Sequence, residues 1–239
     1  MIGWRARIGY ISPANAECSV YEFYKIIPEG VSLVVTCLSI KRLITEEMEA
    51  ALRKVDEAAL DLARSEVDFI VLGGTPPAVL KGVGGDQQLI QRLQNATKIP
   101  TTIKITAAMA AFRHLGVKRL SLATPFEDEN NQNIKRFLEG SGFTVVHMQG
   151  LGLRSNLEIA RLPVYAPYQL ARQVVLENPE TDAIYIPCTQ WAPSFSIDQL
   201  EKDFNKPVVT PNGAMIWYVF NSLKLRGSIK GFGRLLESL

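Results

Sequence analysis

Four short strand-like segments constrain this chain more than any other feature: residues 7–12, 68–72, 119–123 and 183–186. Each holds a β-rich apolar run that is long enough for a buried strand and too short for a helix. Each ends on turn formers or hydroxyls: Ser12-Pro13-Ala14-Asn15, Gly73-Gly74-Thr75-Pro76-Pro77, Thr124-Pro125-Phe126 and Pro187-Cys188-Thr189-Gln190. Further strands are predicted at 31–37, 100–103, 144–148 and 207–210. Helices are predicted at 20–27, 86–97, 106–115, 127–139, 167–177, 196–204 and 213–223. Another long helix starts at Thr45, where Met48, Leu52, Val55, Ala59 and Leu62 make one apolar stripe. Thr75 reads as an N-cap with Pro76 at the first helical position. Ser196 and Gln199 read as a capping box. Strands alternating with helices mean an α/β fold whose sheet is parallel and covered on both faces.

The pattern also repeats. Residues 8–13 match 120–125, residues 68–75 match 182–189, and the stretch from Pro100 to Met109 is echoed from Pro207 to Met215. Two pseudo-symmetric Rossmann-like lobes are expected, with lobe 1 formed by 1–105 plus 211–239 and lobe 2 by 106–210. Ligands in such sheets bind beyond the carboxyl ends of the strands. The four strand-end loops named above would then surround one cleft.

The candidate residues follow from that placement. Cys188 sits at the end of a strand, offered to a ligand, although a small buried hydrophobe is the common role of a free cysteine. Cys18, which follows Asn15, has a weaker claim on the cleft, and Cys37 reads as an ordinary strand-end residue. His114 and His147 lie in no metal-ligand spacing, so no metal is expected. With 26 basic and 24 acidic residues and no basic stripe, nothing points to nucleic acid. No apolar run is long enough to cross a membrane and no export signal opens the chain, so a cytoplasmic protein with reduced thiols is expected. Gly150 to Ser155 mimics part of a dinucleotide fingerprint but lacks its third glycine. Lys41 and Arg42 read as a solvated loop, and Trp191 and Trp217 as packing residues. Nothing in the sequence fixes an oligomeric state.

Gly73-Gly74-Thr75, Leu122-Ala123-Thr124-Pro125, Asn131, Cys188 and the terminal Gly231-Phe232-Gly233-Arg234-Leu235 occur in an order and spacing that resembles the aspartate/glutamate racemase superfamily. Within it, the chain is similar to the branch of arylmalonate decarboxylase and maleate cis-trans isomerase. The resemblance implies an enzyme free of cofactor and metal that acts on a small mono- or dicarboxylate. In the racemases and isomerases two cysteines face each other across the cleft. Here Cys188 matches the second and Gly74 stands at the first, a pattern similar to the decarboxylases. Asn15 and Asn131 resemble carboxylate-contacting asparagines of the isomerases.

Chemistry ranks the same readings. Racemisation without a cofactor needs an acid/base group on each face of the reacting carbon, and Gly74 supplies none. Decarboxylation of a malonate leaves an enediolate, which needs donors at its oxygens and one acid to return a proton. Cys188 can be that acid. The Thr75 hydroxyl and N–H, the Thr189 and Gln190 amides and the Thr124 hydroxyl are the expected donors, with Pro13 beside them. Space above Gly74 is expected to take a substituent or the departing carboxylate. Three positions depart from the decarboxylase pattern. Pro76 stands for a serine, Phe126 for a tyrosine, and Thr189 and Gln190 for glycines, which narrows the cleft. The expected function is a malonate-type decarboxylase. A maleate-type isomerase with Cys188 as nucleophile comes second, and a non-catalytic carboxylate-binding protein third.

Overall fold

The computed structural model describes residues 2–239; Met1, the head of the expected first lobe, lies outside the described residues. The first half runs β1 (Ala6–Ser12), α1 (Glu17–Ile26), β2 (Val31–Cys37), α2 (Thr45–Leu52), α3 (Val55–Arg64), β3 (Phe69–Leu72), α4 (Thr75–Val79), α5 (Gly85–Thr97), β4 (Thr101–Ile103) and α6 (Lys104–His114). The second half runs β5 (Arg119–Phe126), α7 (Asp128–Gly140), β6 (Thr144–Leu153), α8 (Asn156–Ala160), α9 (Ala166–Glu177), β7 (Ala183–Tyr185), a 3-10 turn (Pro193–Ser196), α10 (Ile197–Phe204), β8 (Val208–Val209), α11 (Pro211–Ser222) and α12 (Arg234–Glu237).

The strands form two four-stranded sheets, β2-β1-β3-β4 and β6-β5-β7-β8. Every strand pairing is parallel. The second sheet thus repeats the strand order of the first. In each, the strand order reverses beside the central strand, β1 or β5. Such a reversal opens a crevice outside the carboxyl ends of the strands. Pro13, Gly74, Phe126 and Cys188 all follow or end strands that flank those two crevices.

Packing ties the last helices back to the first sheet. Met215, Ile216, Val219 and Phe220 of α11 join Ile8, Tyr10, Phe23, Phe69 and Val71 in one buried cluster. Helix α6 turns the other way: its Phe112 ring stands edge-on to Tyr185 of β7 and to Phe143, with centroids 5.2 and 5.3 Å apart. Each such buried aromatic contributes about 1.5–3 kcal/mol of burial.

Several local expectations are corrected. The helix starting at Thr45 is interrupted at Arg53–Lys54, where the Lys54 N–H bonds the Ala51 carbonyl at 2.9 Å in a tighter turn. The apolar stripe survives the break: Met48, Val55, Ala59 and Leu62 are buried in one cluster, with Leu52 packed against it. Thr75 is the first residue of α4 rather than its cap; Gly74 holds the cap position at φ 89°. Strand β5 runs on through Pro125 to Phe126, because Pro125 sits where the β5–β6 register shifts and no ladder bond is required of it. Ser196 ends the 3-10 turn and holds the N-cap position of α10 as expected, but its side chain makes no capping bond, and Gln199 donates to Asp203 at 2.7 Å instead of closing a box. Gly150 and Gly152 lie within β6, and the Arg154-Ser155 turn that leads into the five-residue α8 holds no glycine, so no glycine-rich nucleotide turn forms.

Candidate active site

A narrow cavity of about 30 Å³ lies where the strand ends of the two sheets meet. It is lined from the first sheet by Pro13, Leu43, Gly74 and Thr75, and from the second by Phe126, Asn156, Cys188 and Gln190. Thr189, Pro187, Pro211, Pro76, Pro77 and Lys104 complete the wall. That volume has room for one or two water molecules. A far larger groove, about 780 Å³, opens on the surface between α2 and α5, but its walls carry Glu49, Arg53, Asp56 and Arg92 and no thiol.

Cys188 is 8% exposed and follows β7 where the backbone turns back, its N–H bonded to the Ile186 carbonyl at 3.0 Å. Burial pushes its thiol up to about 12. The charges of Cys18 and Glu22 push the same way, while the Gln190 and Trp191 backbone amides oppose them. Desolvation disfavours the thiolate, so at neutral pH the sulfur carries its proton. Of the two other cysteines, Cys18 is half-buried with its thiol raised to about 11, first by burial and then by Glu17 and Glu22. Cys37 is exposed.

The remaining expected residues divide into two groups. Pro13, Gly74, Thr75, Phe126, Thr189 and Gln190 are brought together with Cys188 around the cavity. Thr124, Asn131 and Asn15 are outside its lining. The Thr124 hydroxyl donates to Asn131 Oδ1 at 2.6 Å, and Asn131 Nδ2 donates to the Phe126 carbonyl at 2.9 Å. Both side chains are therefore occupied in holding the end of β5. Asn15 is exposed. Arg42, in the loop read as solvated, pairs with Glu47 at 2.9 Å away from the cavity.

Two details change how the cleft is read. The space above Gly74 is filled: a Cβ there would stand 2.8 Å from Pro13 Cγ and 2.8 Å from Pro77 Cγ. Glycine is required by the positive φ and by these two rings, so no pocket for a substituent opens at that point. The Thr75 hydroxyl is engaged as well, donating to the Pro187 carbonyl at 3.0 Å across the cleft. This buried hydrogen bond ties the Thr75 side of the cavity wall to the Cys188 side.

A polar cluster that no sequence motif announces lies behind this wall. Lys104, the first residue of α6, is 2% exposed and lines the cavity. Its Nζ donates to Asn212 Oδ1 at 2.6 Å and to Ser19 Oγ at 3.0 Å, and lies 4.1 Å from the centre of the Tyr10 ring. A desolvated contact of that kind is worth about 2 kcal/mol. Asn212 Nδ2 in turn donates to Glu22 Oε2 at 2.7 Å, and the Ser194 N–H to Glu22 Oε1 at 2.5 Å. Burial raises the Glu22 carboxyl to about 7, against the opposing pull of these hydrogen bonds and of the Lys104 charge. The Tyr10 phenol is pushed up by burial, but the Lys104 charge and neighbouring hydroxyls outweigh this and lower it. Asn156 also lines the cavity and was absent from the expected set; its Nδ2 donates to the Ile40 carbonyl at 2.9 Å. Both it and Lys104 follow or begin helices beside strand ends, which is the one positional signal the sequence offered.

Comparison with known proteins bears on this cavity. The arylmalonate decarboxylase family model matches residues 8–236. Arylmalonate decarboxylase of Bordetella bronchiseptica is 24% identical over 234 residues, 96% of each chain. Among solved structures, a double mutant of arylmalonate decarboxylase in its liganded form superposes with a TM-score of 0.92 at 22% identity, over 98% of this chain and 100% of that one. A Nocardia farcinica maleate cis-trans isomerase mutant with a covalently bound succinylcysteine intermediate superposes with a TM-score of 0.91 at 20% identity, over 98% and 99%. Among the described residues, no helix is long and apolar enough to cross a membrane.

Proposed function

The chain belongs to the arylmalonate decarboxylase family, and on that premise we propose that it decarboxylates a substituted malonate-type carboxylate without a cofactor, with Cys188 as the proton donor. The relatives include both a decarboxylase and an isomerase, so the choice rests on this chain's own residues. The observation that carries it is the burial of Cys188, which disfavours its thiolate; among the described residues it is the one thiol in a cavity wall that also holds Gly74. A buried thiol raised to about 12 is a proton donor at neutral pH and a poor nucleophile.

In this reading the bond between the substrate's central carbon and one carboxylate breaks. Its electron pair stays on the carbon and spreads into the retained carboxylate as an enediolate, while carbon dioxide departs. The Thr75 hydroxyl, once it leaves the Pro187 carbonyl, and the Thr189 amide face the enediolate oxygens. Removing one such donor costs about 2.7–4 kcal/mol of barrier. The Cys188 thiol then gives its proton to the carbon, and the thiolate recovers one from solvent. Gly74 offers no second acid/base group, so the proton returns from one face and one enantiomer is produced.

The isomerase is the second reading, favoured by the cysteine adduct in the similar Nocardia farcinica protein. There Cys188 would add to a carbon–carbon double bond, which needs the thiolate. A proton NMR time course in deuterated buffer separates the two, with 2-methyl-2-phenylmalonate and maleate in separate tubes and Cys188→Ser alongside. A deuterated 2-phenylpropionate that disappears in the mutant supports the decarboxylase. Fumarate in the maleate tube overturns it. Silence in both tubes, with binding retained, favours a carboxylate-binding protein.

A further inference from the structure

The cavity wall holds a buried ammonium and a buried amide donor that lacks a partner among the described residues. Among the described residues that line it, Lys104 is the one ionisable cation. Its partners are the oxygens of Ser19 and Asn212 and the Tyr10 phenol, whose pKa its charge lowers. The carboxyl nearest in its hydrogen-bond network is Glu22, reached through the Asn212 amide. A buried ammonium without a bonded counter-charge is costly, and position makes it more so. Lys104 opens the eleven-residue α6, where the helix dipole already carries positive charge. An anion entering the cavity would meet both.

Gln190 supplies the second observation. It is 6% exposed, lines the same cavity, and its Nε2 is buried with no hydrogen-bond partner among the described residues. Buried amide donors are seldom left unpaired, and one left unpaired in a cavity wall is a place for an acceptor. Lys104 and Gln190 thus place a buried charge and a buried donor without a partner in the wall of one narrow cavity.

We propose that Lys104 and the Gln190 side chain form the carboxylate-recognition pair of this cleft and select anionic over neutral substrates of the same shape. This assigns Gln190 a role through its side chain, beyond its backbone N–H, and gives a role to a lysine that the strand-end motifs do not include. It rests on the small-carboxylate reading above, but not on which reaction follows. Neither residue moves a proton in this scheme: both are positioning residues, and the carboxylate they hold is the one that stays on the substrate.

The test uses binding, in the Cys188→Ser background so that turnover does not intervene. Calorimetric affinities are measured for maleate, for 2-methyl-2-phenylmalonate and for the neutral diamide of maleate. Lys104→Met is expected to weaken the better-bound dicarboxylate by about thirtyfold or more, the lower end for truncating one partner of a buried charge pair. The diamide should change less than about threefold, because uncharged hydrogen bonds contribute far less. Gln190→Leu, close in size and independent of the Lys104 cluster, should weaken the same anion by about tenfold and keeps the proposal testable if Lys104→Met does not fold. Equal losses for anion and diamide would overturn it, as would unchanged anion affinity in a folded variant or failure of the parent protein to bind either dicarboxylate. Charge-dependent binding in a protein that turns over neither compound leaves this inference standing and removes the decarboxylase. Turnover with affinity indifferent to both substitutions does the reverse.

Discussion

The decarboxylase reading turns on whether Cys188 carries its proton, and its reactivity measures that directly. In a Cys18→Ser/Cys37→Ser background, Cys188 is the one thiol left to alkylate. Its pKa is raised from 9.0 to about 12, chiefly by burial, which is about 4 kcal/mol against the thiolate. At pH 8 a thiol of pKa 9 is about 10% ionised and one of pKa 12 about 0.01%, roughly a thousandfold less. The more basic thiolate is the better nucleophile and recovers roughly 15–30-fold of that loss. Iodoacetamide should therefore label native Cys188 about 30–60 times more slowly than the same protein in urea, before steric shielding slows it further. Mass spectrometry of quenched samples gives both rates. The logarithm of the native rate should climb with unit slope through pH 10 and reach no plateau. A plateau with its midpoint below pH 7 would refute the proton-donor assignment and make Cys188 a nucleophile.

Two further outcomes follow from the buried groups. The folded pKa of Glu22, about 7, lies above the 4.5 of an unperturbed glutamate, so the native state holds the proton more tightly than the unfolded chain. Its contribution to stability is full below pH 4.5 and declines as pH rises through 7, by about 3 kcal/mol in all. Thermal melts across pH 4.5–8 should show that decline in the wild type and a flatter profile in Glu22→Gln; parallel profiles would remove Glu22 as the cause. Gly74→Ala should cost about 2–5 kcal/mol, from backbone strain at φ 89° and overlap with the Pro13 and Pro77 rings. A variant that melts at the wild-type temperature would show that the rings yield.

What was legible in the chain depended on sequence distance. Strands such as Phe69–Leu72 and the position of Cys188 after β7 are local facts: an apolar run, then a turn, then a side chain at the strand's carboxyl end. The two-sheet architecture was also readable, because the repeated units carry their strand-ends with them and the sheets adopt one strand order twice. Boundaries failed where a local signal had two meanings. Pro125 reads as a strand terminator and is instead accommodated at a register shift, and the Ser196–Gln199 pair reads as a capping box although Ser196 holds the cap position without a side-chain bond and Gln199 turns to Asp203. The Glu22–Asn212–Lys104 cluster was out of reach for a different reason. Glu22 occupies an unremarkable position in an amphipathic helix, and Lys104 a polar position after a strand. Partners 190 and 108 residues apart make them one buried network. No periodicity records that pairing.

The same buried bonds determine how a substrate can enter. A cavity of about 30 Å³ is narrow for a malonate or maleate, and we expect the wall to part on binding. The Thr75–Pro187 hydrogen bond crosses that wall, and a net loss of about 0.5–1.5 kcal/mol for breaking it is small beside what two carboxylate contacts return. Opening frees the Thr75 hydroxyl, which in the decarboxylase proposal is a donor to the enediolate. On that proposal the Thr75 donor is held by the Pro187 carbonyl until substrate displaces it, while Cys188 stays buried. Thr75→Val separates the two roles of the hydroxyl. It should ease opening and leave dicarboxylate affinity within about threefold, yet lower kcat by about 100-fold or more through the lost oxyanion donor. A variant that loses affinity and keeps kcat would place Thr75 in ground-state binding and leave the intermediate to the backbone amides.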